Sequence, residues 1–189
     1  MTILIIGLIV LLLGHSVQMA PALHAGLQRA LGRNVYRGIY SVVAVAGVAL
    51  VVEGFGRYRA DGMIPIWDPP MGMKHLNLLL MLFAFIALIA SQLPRGYIKA
   101  RLKHPMLVGV KAWALGHLLA NGDLGSIILF GSILAWAVVN RISFRWRPAQ
   151  AEPPAPRVLG DLLAVGVGVA AYVAMLYLHP ILIGVSVFG

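Results

Sequence analysis

Long apolar runs, interrupted by short basic or proline-rich segments, dominate this chain. A helix rising about 1.5 Å per residue needs roughly 20 mostly apolar residues to cross a hydrocarbon core of about 30 Å. Windows near that length occur at 3–20, 38–56, 75–93, 104–121, 124–140 and 161–178. The pattern predicts an all-α fold: a polytopic integral membrane bundle of about six transmembrane helices, forming a single domain over residues 1–189. The turn between the fourth window and the fifth is built on Asn121, Gly122 and Asp123 and is very tight, and Asn121 and Asp123 are placed to cap the helix that follows. Small residues recur every fourth position at Ala112, Gly116 and Ala120, and again at Gly166, Ala170 and Ala174. Such stripes let helices approach closely in lipid.

Composition sharpens this reading. Of 189 residues, 60% are hydrophobic and 11% charged, against about 25% charged in an ordinary soluble domain. No soluble domain fits between the apolar runs. The absence of cysteine excludes disulfides, thiolate metal sites and a cysteine nucleophile. The N-terminus has no positive region ahead of its apolar run and no small-x-small cleavage site after it, which marks a retained helix rather than a secretory signal.

The net charge of +9 comes from bases confined to segments between apolar runs, so it reads as a topology signal and not as a nucleic-acid surface. Arg29, Arg33 and Arg37 fall in the first loop, Arg95, Lys99, Arg101 and Lys103 in the third, and Arg141, Arg145, Arg147 and Arg157 in the fifth. The second and fourth loops are nearly neutral or acidic. This bias predicts loops one, three and five in the cytoplasm and both termini outside, which for a bacterial inner membrane is the periplasm. The second loop, with Trp67 and three prolines, is expected to be an ordered interfacial segment, and the fifth, 147–157, a linker without fixed structure. The segment HPMLVGV at 104–110 is echoed by HPILIGV at 179–185, and the apolar tail 181–189 is expected to dip back into the outer leaflet.

Ionisable side chains inside spans are costly and are functional candidates by default. They are His15, Glu53, His75, His104, Lys111, His117 and His179. His75 and His179 sit at outer edges, and His24 and His104 at inner ones, where water reaches them. Glu53 stands four residues before Arg57, a favourable order for a helical ion pair, and Lys111 is within snorkelling reach of the inner surface. His15 and His117 lie deep, about 18 Å and about 10 to 13 Å below the outer face by helical rise, within a turn or two of one level. Two neutral imidazoles projecting from different helices suit a six-coordinate haem b; the other reading is polar glue, each ring hydrogen-bonding a neighbouring helix. No CxxCH occurs, so covalent haem attachment is excluded, and two deep histidines fall short of the three protein ligands of a catalytic zinc.

Three blocks carry a resemblance: Gly14-His15-Ser16 in the first window, KHPMLVG at 103–109, and WALGHLLANGD at 113–123 followed by an apolar helix ending in Asn140-Arg141. Together with the closing HPxLxGV, they resemble the NnrU family of membrane proteins over nearly the whole chain. The resemblance implies an association with denitrification, alongside nitrite and nitric oxide reductase systems. Plant relatives sharing the domain are 15-cis-zeta-carotene isomerases that use a haem b held by two histidines, and by position those ligands fall on His15 and His117. The isomerases carry an alternative cysteine ligand three residues before the second histidine, where this chain has Ala114.

The leading expectation is therefore an inner-membrane protein with haem b on His15 and His117 as iron ligands, and with nitric oxide, an apolar small molecule or denitrification membrane proteins as partners besides the bilayer. Catalytic residues are not assigned. Three other readings stand beside it: a haem-dependent cis-trans isomerase of a polyene, a non-catalytic assembly or scaffold protein, and, on the short HP-glycine signal, a membrane methyltransferase.

Overall fold

A computed structural model describes residues 1–147 and 153–187. Among these residues the regular structure is helical: α1 (Thr2–Ser16), α2 (Pro21–Leu31), α3 (Arg33–Ala60), α4 (Met71–Gln92), α5 (Tyr97–Leu102), α6 (Pro105–Ala120), α7 (Leu124–Ser143) and α8 (Val158–Leu182), with 3₁₀ turns at Val17–Met19 and Phe144–Trp146. Among the described residues, five stretches are long and apolar enough to cross a membrane, those built on α1, α3, α4, α7 and α8. The remaining expected span, α6, has 16 residues, about 24 Å of helix. It is bounded by Lys103 at φ 59 before it and by the Asn121–Asp123 turn after it.

Two helices arise in segments the apolar windows left as loops. The short α2 begins with Pro21 in its first turn and ends at Gly32, whose φ of 77 stops the helix before α3 restarts at Arg33. The six-residue α5 lies between Gly96 and Lys103.

The chain forms two compact units: α1, α2, α3 and α7 make the first, and α4, α5, α6 and α8 the second. In the first, α1 and α3 run antiparallel with their backbones nearly touching. Gly54 faces the backbone of Ile3 and Leu4, a Cβ on Gly7 would meet Val51 N at 2.6 Å, and one on Gly47 would meet Leu11 Cα at 2.9 Å. Gly7 and Gly14 on one helix, and Gly47 and Gly54 on the other, are each seven residues apart, which returns them to one face. Between them Leu4 is fully buried, while Val42, Val45 and Val52 on the opposite face of α3 are 66–69% exposed, as a lipid-facing surface requires.

The second loop is ordered, as expected. Ile66 N and Trp67 N both donate to Gly122 O at 2.8 and 3.0 Å, and Leu124 N donates to Ile64 O at 2.9 Å, pinning residues 64–67 to the turn before α7. Tyr58, 4% exposed, packs its ring on Gly125 and accepts from Ile64 N through its hydroxyl at 2.9 Å. Asp123 is the N-cap of α7, its Oδ1 accepting from Ser126 N at 2.9 Å.

In the second unit, α6 and α8 both pack on α4. A Cβ on Gly109 would meet Leu88 Cγ at 2.8 Å, and Gly116 faces Asn77 and Met81. Ala84, Ala87 and Ala90 form the buried stripe of α4. The close face of α8 differs from the expected one: Gly160, Ala164 and Gly168 are buried, whereas Gly166, Ala170 and Ala174 are exposed. Both sets have four-residue spacing, and only the packing partner, here Ile86 of α4 against Gly168, selects between them.

Asp161, read from the sequence only as the start of a span, caps a helix far from it in sequence. Its Oδ2 and Oδ1 accept from Tyr97 N and Ile98 N, each at 2.9 Å, satisfying two first-turn amides of α5. Asp161→Ala is expected to lower stability by about 2 kcal/mol, the upper end for an N-cap, while Asp161→Asn retains much of it; thermal unfolding in detergent measures both. Equal melting of Ala variant and wild type would refute the cap's importance.

Part of the expected unstructured linker is held. Arg95 Nη1 donates to Pro153 O and Pro154 O at 2.9 and 2.6 Å, and Arg157 N donates to Arg95 O at 2.9 Å; positions 148–152 lie outside the described residues. At the C-terminal end, Gly184 at φ 75 turns the chain back so that Val185 O accepts from His179 Nδ1 at 2.8 Å; of the expected tail, 188–189 lie outside the described residues.

Candidate functional site

His15 closes the last turn of α1 in the first unit and is half-buried. Its Nδ1 donates to Leu11 O, one turn back on the same helix, at 2.8 Å. The neighbouring Ser16 Oγ does the same to Leu12 O at 2.6 Å and accepts from Trp136 Nε1 at 3.1 Å. Trp136 thus reaches His15 edge-on, ring centroids 5.9 Å apart at 89°, while Tyr40 of α3 lies 5.2 Å away on another side. Two large rings from two other helices therefore fix the imidazole plane. The aromatic contacts continue from Tyr40 to Tyr36 at 6.5 Å and from Tyr36 to His24 of α2 at 5.3 Å, ending where Gln28 Nε2 donates to His24 Nε2 at 3.1 Å.

His117 occupies the last turn of α6 in the second unit and is also half-buried. Its Nδ1 donates to Trp113 O at 2.8 Å, again the carbonyl one turn back, and the Trp113 ring lies 5.1 Å from the imidazole. Ala114, three residues before it, is fully buried and offers no donor atom. Gly116 lets Asn77 of α4 come against the backbone beside His117.

The two deep histidines share one chemical arrangement. A proton on Nδ1, held by a backbone carbonyl, makes Nε2 the lone-pair nitrogen, which is the tautomer an axial haem ligand or metal ligand must present. Each imidazole, taken by itself, therefore carries its proton as a haem-ligating histidine would. His24 has its Nε2 engaged by Gln28, and His179 uses Nδ1 on the turn that ends α8.

The other candidates have structural roles. Glu53 and Arg57 form the expected ion pair, Nε to Oε1 at 2.6 Å, with both side chains about 60% exposed, a geometry worth well under about 1 kcal/mol. His104 precedes α6, its carbonyl accepting from Val108 N at 3.1 Å, and His75 stands exposed on the second turn of α4. Lys111 is half-buried on α6. Lys99 was missed as a capping residue: its Nζ donates to Ser91 O and Leu93 O at 2.9 and 2.8 Å, closing the C-terminus of α4. Among the described residues, no group of three or more His, Asp or Glu side chains is gathered as a multi-ligand metal site would be.

No curated protein and no solved structure was found to match the chain. A family model described as NnrU protein matches residues 3–187, which include both deep histidines and the turn that follows the second. On that match over nearly its whole length, the chain belongs to the NnrU family.

Proposed function

We propose that this NnrU-family membrane protein holds a haem b with His15 and His117 as its axial ligands, and that it acts in the bacterial inner membrane alongside nitrite and nitric oxide reductase systems, with both termini in the periplasm. The observation that carries the haem reading is the shared anchor. Each deep imidazole spends its Nδ1 proton on the carbonyl of its own preceding turn, Leu11 or Trp113. That sets Nε2 as the lone-pair nitrogen, the form in which an imidazole ligates iron.

When bound, such a haem would supply one-electron chemistry and an iron centre able to take a small ligand such as nitric oxide. The chain's own contribution is to hold tautomer and ring plane: Leu11 O fixes the proton of His15, and Tyr40 and Trp136 fix its orientation. Trp113 does both for His117, through its carbonyl and its ring. The buried methyl of Ala114 provides no alternative ligand, so a ligand exchange of the kind implied for the isomerases has no donor at that position.

Protein purified in detergent from haem-replete cells is expected to carry haem b near one per chain, with the absorption spectrum of a low-spin, six-coordinate centre. Haem-free protein that is monodisperse and folded would defeat the proposal.

A further inference from the structure

Beyond the end of α1, the first unit contains a polar corner that the histidines do not use. Helices α1 and α7 run in the same direction, with Ser16 meeting Trp136, so the last turns of α7 continue past His15. Asn140 lies one turn after Trp136, and Ser143 follows; they are 9% and 2% exposed. The 3₁₀ turn at Phe144–Trp146 then brings the Arg147 side chain back over this end. Its Nη2 donates to Asn140 Oδ1 and to Ser143 Oγ, the latter at 2.8 Å, and its guanidinium carbon stacks 3.9 Å from the Phe144 ring centroid. Ser143 Oγ in turn donates to Asn140 O at 2.8 Å.

The guanidinium is thereby held rigidly, yet its partners are neutral oxygens, and its Nε is buried without a hydrogen-bond partner. Among the described residues no carboxylate lies within ion-pair distance of Arg147; the pair present is Arg57 with Glu53. A buried cationic donor left unsatisfied is costly. Both Nη2 protons are committed to Asn140 and Ser143, so the donor left over is Nε–H, which suits a single oxygen of a carboxylate or phosphate.

We infer that Asn140, Ser143 and Arg147 form an oxyanion-holding corner, in which Asn140 and Ser143 fix the guanidinium and Arg147 donates its Nε–H to one oxygen of a carboxylate or phosphate group. One source is a propionate of the haem, which rests on the bis-histidine reading above; the other is the phosphate of an anionic phospholipid, which does not.

Two measurements separate the sources. Apo protein is titrated with haem b and with its dimethyl ester, which lacks propionate charge, and the protein is examined by native mass spectrometry after incubation with phosphatidylglycerol or phosphatidylcholine. A propionate in the corner predicts about tenfold tighter binding of haem b than of the ester, a preference lost in Arg147→Gln. A phospholipid predicts retained phosphatidylglycerol adducts on wild type that are lost in the variant, with the haem ratio unchanged. Arg147→Lys keeps the charge without the Nε–H and is expected to resemble Gln; full wild-type behaviour of the lysine variant would overturn the assignment. So would a wild type showing neither preference, a result that needs no variant to fold. A wild type that binds no haem defeats the bis-histidine reading alone, and the phospholipid arm then decides this inference.

Discussion

Gly54→Leu is expected to leave no stably folded first unit. A side chain at this position meets the main chain of Ile3 and Leu4 rather than a movable side-chain tip, so α1 must separate from α3 along its length. Interiors tolerate added volume poorly even where side chains can shift, and here the obstacle is backbone, which puts the cost at about 3 kcal/mol or above. The same interface carries His15 and Tyr40 about three to four turns further along, so its loss also dismantles the surroundings of the candidate ligand. Gly56, two residues away on the same helix, has nothing within 4 Å of where its Cβ would be. Gly56→Leu is the matched control and is expected to express and melt as wild type. Fluorescence-detected gel filtration and thermal unfolding compare the two, and equal behaviour would refute the glycine-packed arrangement of α1 on α3.

His15→Gly and His117→Gly form the second large-effect pair. Each is expected to lose the low-spin haem signature completely while the protein stays folded, because Leu11 O and Trp113 O remain within intact helices when the ring is removed. Each glycine leaves a space of imidazole shape, so added imidazole at millimolar concentration is expected to restore the signature in part. His179→Gly removes the bond to Val185 O at the end of α8 and is expected to retain full haem content. A variant of His15 or His117 that keeps a wild-type spectrum would show that its ring is not a ligand.

The spans, the Asp123 cap and the Glu53–Arg57 pair were legible because each rests on local spacing: apolar length, a cap three residues before its amide, an acid four residues before a base. His15 and His117 were singled out by helical rise under the orientation that the basic loops predict. Their Nδ1 anchors follow from geometry within one turn, yet the spacing alone left open the alternative of bonding a neighbouring helix.

What could not be read depends on partners distant in sequence. Asp161 caps a helix 64 residues earlier. The buried stripe of α8 is Gly160, Ala164 and Gly168 and not Gly166, Ala170 and Ala174, because Ile86 of α4 selects the face. Arg147 looked like the first residue of a linker, and only the turn at Phe144–Trp146 reveals that it folds back onto Asn140 and Ser143. Short α2 and α5 escaped the apolar windows because they are amphipathic or too brief, although Pro21 and Gly32 punctuate the first of them.

The central claim, that His15 and His117 are the axial ligands of a haem b, is tested most directly by low-temperature electron paramagnetic resonance of the oxidised, purified protein and of the two single glycine variants. The account predicts a low-spin bis-imidazole ferric signal in the wild type and its disappearance in both variants. A low-spin signal that survives either substitution, or a folded wild type with no ferric signal at all, would contradict it.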